Sequence, residues 1–391
     1  MTVTVQIQGT CDPRFMAVHE AFAENFAVRG EVGAAVCVYA DGKPVVDLWG
    51  GYADTARIRP WDQNTIVSVA STTKGMVALC THMLIERGLL DLDAPVARYW
   101  PAFAQAEKDT LPVRWLLSHR AGLPAVRRDL PPQSLYDWHA FTAALAETKP
   151  WWEPGTQHGY HAITFGFLLG EVIRRLSGKS VGQFLRTEVA GPLGADFFIG
   201  VPEAEDYRAA EVLPDPPPLP GDTTMWEVIL RDPMSMAGRA FLNPPRTPDV
   251  TNTRAWRAAE IPAGNGHTTA KGLARIYGAL AHGGALDGVS LLRRTTLEAA
   301  SVEQSSGLDA VLSFPTRFGL GFMLPTPERP FGPNPYAFGH PGRGGSIGFA
   351  DLAGGIGFGY VMNQYKTGTL RNPDLRWPVL VEAVYASLGA K

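Results

Sequence analysis

Ser71 stands three residues before Lys74, where a run of β-branched residues gives way to an apolar helical pattern. Thr65-Ile66-Val67-Ser68-Val69-Ala70 reads as a strand. Residues 71 to 87 read as a helix with Met76, Val77, Leu79, Cys80, Met83, Leu84 and Ile85 on a broad apolar face. Positions i and i+3 are neighbours on a helix, so Ser71 Oγ and the Lys74 amine can meet there. A serine needs a base to become a nucleophile, and a lysine stripped of water can be neutral enough to serve. The same letters also describe an N-capping serine followed by an exposed lysine, so the surrounding chain has to decide.

A length of 391 residues allows one large or two closely joined domains, and 45% hydrophobic content supplies a sizeable core. The net charge of -3 and the lack of any Lys/Arg run longer than two exclude nucleic acid as a partner. Cys11, Cys37 and Cys80 are odd in number and widely spaced, which suggests neither a disulfide framework nor a zinc site. Met1-Thr2-Val3-Thr4-Val5-Gln6 lacks the basic-then-apolar order of a signal peptide, and no run of 18 apolar residues occurs. The expectation is a soluble cytoplasmic protein with no membrane association; the sequence is silent on oligomeric state.

Residues 12 to 29 read as an amphipathic helix, and Val32 to Tyr39 and Pro44 to Gly50 as strands joined at Asp41-Gly42, a strong hairpin signal. From about 75 to 210 the pattern is mostly helical, with segments 112 to 119, 134 to 147, 161 to 177 and 180 to 188. Prolines crowd 211 to 250, yet Met225, Trp226, Ile229 and Phe241 make that stretch too apolar for a plain linker. Long ordered loops of this kind often wall an active site. Thr268-Thr269-Ala270-Lys271 opens a helix to Ala281; strands follow near 318 to 324, 336 to 339, 345 to 350 and 356 to 362, then a helix over 374 to 388. Strands at both ends and helices between them predict an α+β fold: an antiparallel sheet built from both termini, flanked by helices, with an inserted mostly helical domain. The expected division is 1–75 plus 250–391 for the sheet domain and 76–249 for the helical one, with the active site between.

Tyr160 follows a Pro154-Gly155 turn and so sits on a loop just before a helix. A phenol beside a lysine ammonium can act as a general base, although most tyrosines simply pack. Gly339-His340-Pro341-Gly342-Arg343-Gly344-Gly345-Ser346 is dense enough in glycine for backbone to approach a ligand and offer an N–H to an oxyanion. The plain alternative is a tight bend between two strands.

Taken in order, these pieces resemble the serine β-lactamase and penicillin-binding-protein superfamily, in its class-C-like branch that includes the family VIII carboxylesterases. Leu116-Leu117-Ser118-His119-Arg120-Ala121-Gly122-Leu123 resembles that branch's Leu-Leu-Thr-His-Thr-Ser-Gly-Leu, and Trp152-Glu153-Pro154-Gly155 its approach to the tyrosine. The resemblance spans about residues 15 to 388. It implies the β-lactamase-like fold, Ser71 as the acylated nucleophile, Lys74 as its activator and Tyr160 as the partner acid-base. His340, Pro341 and Gly342 match the family's Lys-Thr-Gly. The backbone N–H groups of Ser71 and Arg343 then form the oxyanion hole. Two departures stand out: His340 replaces the strand lysine and Ala162 the asparagine of Tyr-x-Asn. A neutral imidazole is a poorer carboxylate partner, so both changes favour uncharged esters over lactams, unless Arg343 restores a positive charge.

The expected function is a serine carboxylesterase that hydrolyses short-chain acyl esters through an acyl-enzyme on Ser71. His340, Gly342, Trp152 and His161 are the expected substrate contacts, and no metal or cofactor is needed. Which of Lys74 and Tyr160 is the base stays open. An apolar acyl pocket is expected from the 151 to 160 loop and the 214 to 245 segment. The alternatives are a β-lactamase or D-peptidase, an acyltransferase on the same site, or a ligand-binding scaffold. Gly344-Gly345-Ser346-Ile347-Gly348 imitates a nucleophile elbow, but strand rather than helix follows Ser346 and no histidine lies beyond His340. Ser177-Gly178-Lys179-Ser180 lacks the first P-loop glycine, and His158, His161 and His340 lack metal-ligand spacing.

Overall fold

The computed structural model describes residues 5–217, 219–369 and 372–389. Its main sheet joins β1 (Gln8–Cys11), β2 (Gly33–Ala40), β3 (Lys43–Gly51), β4 (Phe338–Pro341), β5 (Ile347–Asp351) and β6 (Ile356–Met362). They run antiparallel in the order β1-β3-β2-β6-β5-β4, so strands from the two ends of the chain meet where β2 pairs with β6. Asp41 and Gly42 carry positive φ, 48° and 76°, as a two-residue hairpin with right-handed strand twist requires. Every residue of β2 and β6 is buried, because helices cover both faces.

Five helices matter for the site: α1 (Met16–Val28), α2 (Thr73–Glu86), α3 (Thr164–Ser177), α4 (Ala270–Ala281) and α5 (Arg376–Leu388). Helix α4, capped by Thr269, lies across β6, β2 and β5. It comes so near that a Cβ on Gly357 would fall 2.2 Å from the backbone N of Gly278, which only glycine accommodates. Helices α1 and α5 pack together, with Asn25 Nδ2 donating to Arg376 O at 3.0 Å. Helix α2 is buried on all sides from Thr73 to Leu84 and packs on α3 within the helical part of the chain. The architecture is the expected α+β arrangement.

Local readings shift in several places. The run before Ser71 contributes only Val67–Ser68, which pairs outside the main sheet with His267–Thr268. Residues 318 to 324 are not a strand: Pro315–Phe318 pairs with Ser305–Leu308 in a hairpin, and the chain then turns through Gly321 at φ 89°. The proline-rich stretch folds two short helices, Met225–Arg231 and Met236–Leu242, each with a side-chain N-cap, from Thr224 and Ser235. Strand β1, an exposed edge strand, has a composition (Gln-Gly-Thr-Cys) too polar to announce itself.

Candidate active site

Tertiary contacts shape the turn that carries Ser71. Val69 N–H donates to Gly266 O at 2.9 Å, and Thr73 Oγ1 links Ala70 O (2.5 Å) to the Gly266 N–H (2.8 Å). Between them Ala70 takes φ 45°, a conformation that a residue with a Cβ holds only when its surroundings enforce it. The chain passes through a 3₁₀ turn, Ala70–Thr72, into α2. Ser71 keeps partial exposure while Lys74, one turn on, is fully buried.

Lys74 Nζ lies 3.2 Å from Ser71 Oγ and donates to two backbone carbonyls, Ala162 O at 2.7 Å and Ala263 O at 2.8 Å. It stands 4.6 Å from the centre of the Tyr160 ring. Burial alone pulls its pKa well below the usual lysine value. A neutral amine has two N–H bonds and one lone pair. The two carbonyls take the N–H groups, and the lone pair is left for the Ser71 hydroxyl. Burial also pushes the Tyr160 phenol up, reinforced by the charge of Asp309 and opposed by its hydrogen bond with Ser71. Both effects favour the uncharged forms of lysine and tyrosine.

The Tyr160 loop rests on a floor of histidines. His119, itself at φ 59°, accepts the His161 N–H on Nδ1 at 3.1 Å and packs 5.2 Å from the Tyr160 ring. His161 Nδ1 donates to Gly159 O at 2.7 Å, and its Nε2 accepts Leu123 N–H at 3.1 Å. Burial holds His161 at about 3. With both ring nitrogens committed, His161 has none for a substrate, a correction to its expected place. Trp152 is likewise buried, edge-on to His161 at 6.1 Å, and supports the loop from below.

His340 sits at the site on β4, 5.9 Å from the Tyr160 ring. Its Nδ1 donates to Pro341 O at 2.7 Å, its Nε2 has no partner, and burial keeps its pKa at about 3, so it is a neutral acceptor. Arg343 does not offer a free positive charge: it meets Asp215 at 3.2 Å and lies 4.1 Å over the Trp226 ring. Among the described residues, the backbone N–H groups of Ser71 and Arg343 have no protein acceptor, as an oxyanion hole needs. Around Tyr160 lies an apolar cluster with Ala162, Val311, Leu312 and Phe318, flanked by Trp151, Met225, Met236 and Phe241. Residues of the 151 to 160 loop and of the 214 to 245 segment both contribute to this cluster.

Asp309 escaped the sequence reading. It is buried in the turn of the 305–318 hairpin, and its Oδ1 accepts the N–H groups of Tyr160, Val311 and Leu312. Nothing local distinguishes it from any turn aspartate. Ser346 is fully buried with its hydroxyl donated to Val69 O, which disposes of the elbow reading. Among the described residues no cluster of His, Cys, Asp and Glu could hold a metal ion, and no helix is long and apolar enough to cross a membrane.

Comparison with known proteins identifies the family. An esterase/β-lactamase, LipL, of Mycobacterium tuberculosis (strain ATCC 25618 / H37Rv) is 39% identical over 368 residues, 92% of this chain and 83% of its own. The crystal structure of a family VIII carboxylesterase matches with TM-score 0.90 and 43% identity over 98% of this chain and 100% of that one. A penicillin-binding protein homologue from Caulobacter crescentus matches with TM-score 0.88 and 40% identity over 98% and 100%. The family model described as Beta-lactamase matches residues 19–381. The chain belongs to the β-lactamase family.

Proposed function

We propose that this protein is a serine carboxylesterase acting on short-chain acyl esters through an acyl-enzyme on Ser71. The observation that carries the reading is the placement of Lys74: fully buried, hydrogen-bonded to two carbonyls, and 3.2 Å from Ser71 Oγ. Neutral Lys74 takes the Ser71 proton as Oγ attacks the ester carbonyl. The N–H groups of Ser71 and Arg343 hold the oxyanion; one such donor is typically worth roughly 3 kcal/mol. As the tetrahedral intermediate collapses, Tyr160 gives its proton to the leaving alkoxide and recovers one from Lys74. Water then enters and adds to the acyl carbonyl as it gives a proton to the same pair, which returns that proton to Ser71 Oγ as the acid leaves. Neutral His340, the Arg343–Asp215 pair and the apolar wall favour an uncharged ester. The family VIII carboxylesterase, at 43% identity, supports that substrate class. The three cysteines are unpaired thiols, which suits a reducing cytoplasm.

A second reading, β-lactam hydrolysis on the same nucleophile, draws on the relative named esterase/β-lactamase. One comparison separates them: kcat/KM for p-nitrophenyl butyrate against that for nitrocefin, each with the Ser71→Ala variant as a blank. A ratio far above one, abolished in the variant, is the expected result. A ratio near or below one moves the assignment to a lactamase or peptidase. Activity that survives Ser71→Ala overturns the nucleophile.

A further inference from the structure

The two backbone donors of the oxyanion hole come from distant parts of the chain. One is in the 3₁₀ turn that leads into α2, and the other is in the turn after β4. A buried hydroxyl bridges them. Ser346 Oγ donates to Val69 O at 2.9 Å and stands 3.1 Å from Thr72 Oγ1, so it grips the Ser71 turn on both sides of the nucleophile. Its own carbonyl accepts the Gly342 N–H at 2.6 Å and closes the loop that displays Arg343 N–H. Donor and acceptor roles balance: Ser346 gives its proton to Val69, and Thr72 gives its proton to Ser346. The fit is tight, since a Cβ on Gly342 would lie 2.2 Å from Val69 O and 2.3 Å from Ser346 Oγ. Backbone packs directly on backbone here, and a glycine is required. On the far side Arg376, fully buried, donates to Gly344 O at 2.6 Å and anchors the loop to α5.

We infer that Ser346 is a positioning residue for catalysis: its hydroxyl sets the separation of the Ser71 and Arg343 N–H groups. The inference rests on the oxyanion assignment made above. Without the hydroxyl, Arg376 still tethers the loop and Gly342 still packs on Val69 O, but the hydrogen bonds that register the loop's near edge against the nucleophile turn are lost. A shift of about 1 Å in a reacting geometry can cost on the order of 10²-fold in rate.

The test uses Ser346→Ala and Thr72→Val, the second an isosteric change that removes the link from its other end. Each is assayed on an oxoester and on the matching thionoester, whose developing charge sits on sulfur and depends less on N–H donors placed for oxygen. The expected result is a fall in kcat of about 10²-fold for Ser346→Ala on the oxoester, with KM little changed and a smaller loss on the thionoester. Thr72→Val should act in the same direction, and the double variant should lose less than the product of the two. An unchanged oxoester-to-thionoester ratio in both single variants, or a loss confined to KM, overturns the inference. If Ser346→Ala does not fold, Thr72→Val decides alone. Full activity in Ser71→Ala marks failure of the underlying mechanism instead, so the two failures are distinct.

Discussion

Asp309 Oδ1 accepts the backbone N–H of Tyr160 at 3.0 Å, across 149 residues of sequence. The same oxygen takes the N–H groups of Val311 and Leu312, and Oδ2 accepts the Thr316 hydroxyl at 3.1 Å. One carboxylate thereby shapes a hairpin turn and fastens the Tyr160 loop to it. Replacing Asp309 by Ala leaves three buried N–H groups without an acceptor, and one such loss costs about 1–3 kcal/mol. The expected outcome is a stability loss of at least that size in urea unfolding, and a kcat that falls more than KM rises. Asp309→Asn keeps an acceptor oxygen and should recover most of the stability. Wild-type kcat in a folded Asp309→Ala protein would show that Tyr160 is held by other contacts.

Lys74 carries a cost that its function explains. Its folded pKa lies well below the unfolded value near 10.4, so the unfolded chain binds the extra proton over the interval between them. The penalty is therefore full below the folded pKa and fades as pH rises toward 10.4. Lys74→Met removes it. That variant should lose esterase activity and gain roughly 0.5–2 kcal/mol at neutral pH, the usual scale for relieving one strained active-site choice. Chemical unfolding of both proteins at neutral pH measures this, and a destabilised Lys74→Met would contradict it. In the active enzyme, kcat/KM should rise with pH as Lys74 loses its proton in the free protein.

Asp215 holds the Arg343 guanidinium beside the site. Arg343 is partly exposed, so the pair is screened, and its release is worth at most about 1 kcal/mol, or roughly fivefold. Asp215→Asn leaves the Arg343 charge without its counter-ion. Turnover of nitrocefin relative to p-nitrophenyl butyrate should rise by up to that factor, and more at low ionic strength. A ratio that does not move would mean that the guanidinium does not reach the substrate.

Buried histidines make the fold sensitive to acid. His161 and His340 are held at about 3, His267 at about 4, and His119 well below its ordinary value, each by loss of water. All are neutral in the fold, whereas the unfolded chain protonates near 6.5. A histidine depressed in this way leaves stability intact above about 6.5 and removes it as pH falls, by about 1.4 kcal/mol per pH unit per group. Calorimetry should show Tm dropping from about pH 6.5 toward about pH 4, with uptake of several protons on unfolding. A Tm that stays flat over that window would refute the assignment.

The sequence was most legible where the physics is local. Hydrophobic period marked the helices and the paired strands, Asp41-Gly42 announced its hairpin, and the spacing of Ser71 and Lys74 placed them on one helical turn. Reading failed where pairing is not local. Thr65 to Ala70 read as one strand from its β-branched residues, yet only Val67–Ser68 is a strand, paired with His267–Thr268. His161 and Trp152 were expected substrate contacts, but both are buried, and His161 commits its two ring nitrogens to Gly159 and Leu123.

By itself, then, the sequence determined the long helices, the Asp41-Gly42 hairpin, the α+β class and the meeting of Ser71 with Lys74, which rest mainly on neighbours within a few residues. Only the tertiary structure decided who holds whom. Asp309 meets Tyr160, Ser346 meets Val69, and Asp215 meets Arg343 across separations of 149, 277 and 128 residues. Such partners leave no periodic trace, because any buried carboxylate or hydroxyl of the right reach could satisfy the same N–H or C=O. The protonation of Lys74 belongs to the same class. Its spacing from Ser71 is written in the chain, but its neutrality comes from the water that the folded protein excludes.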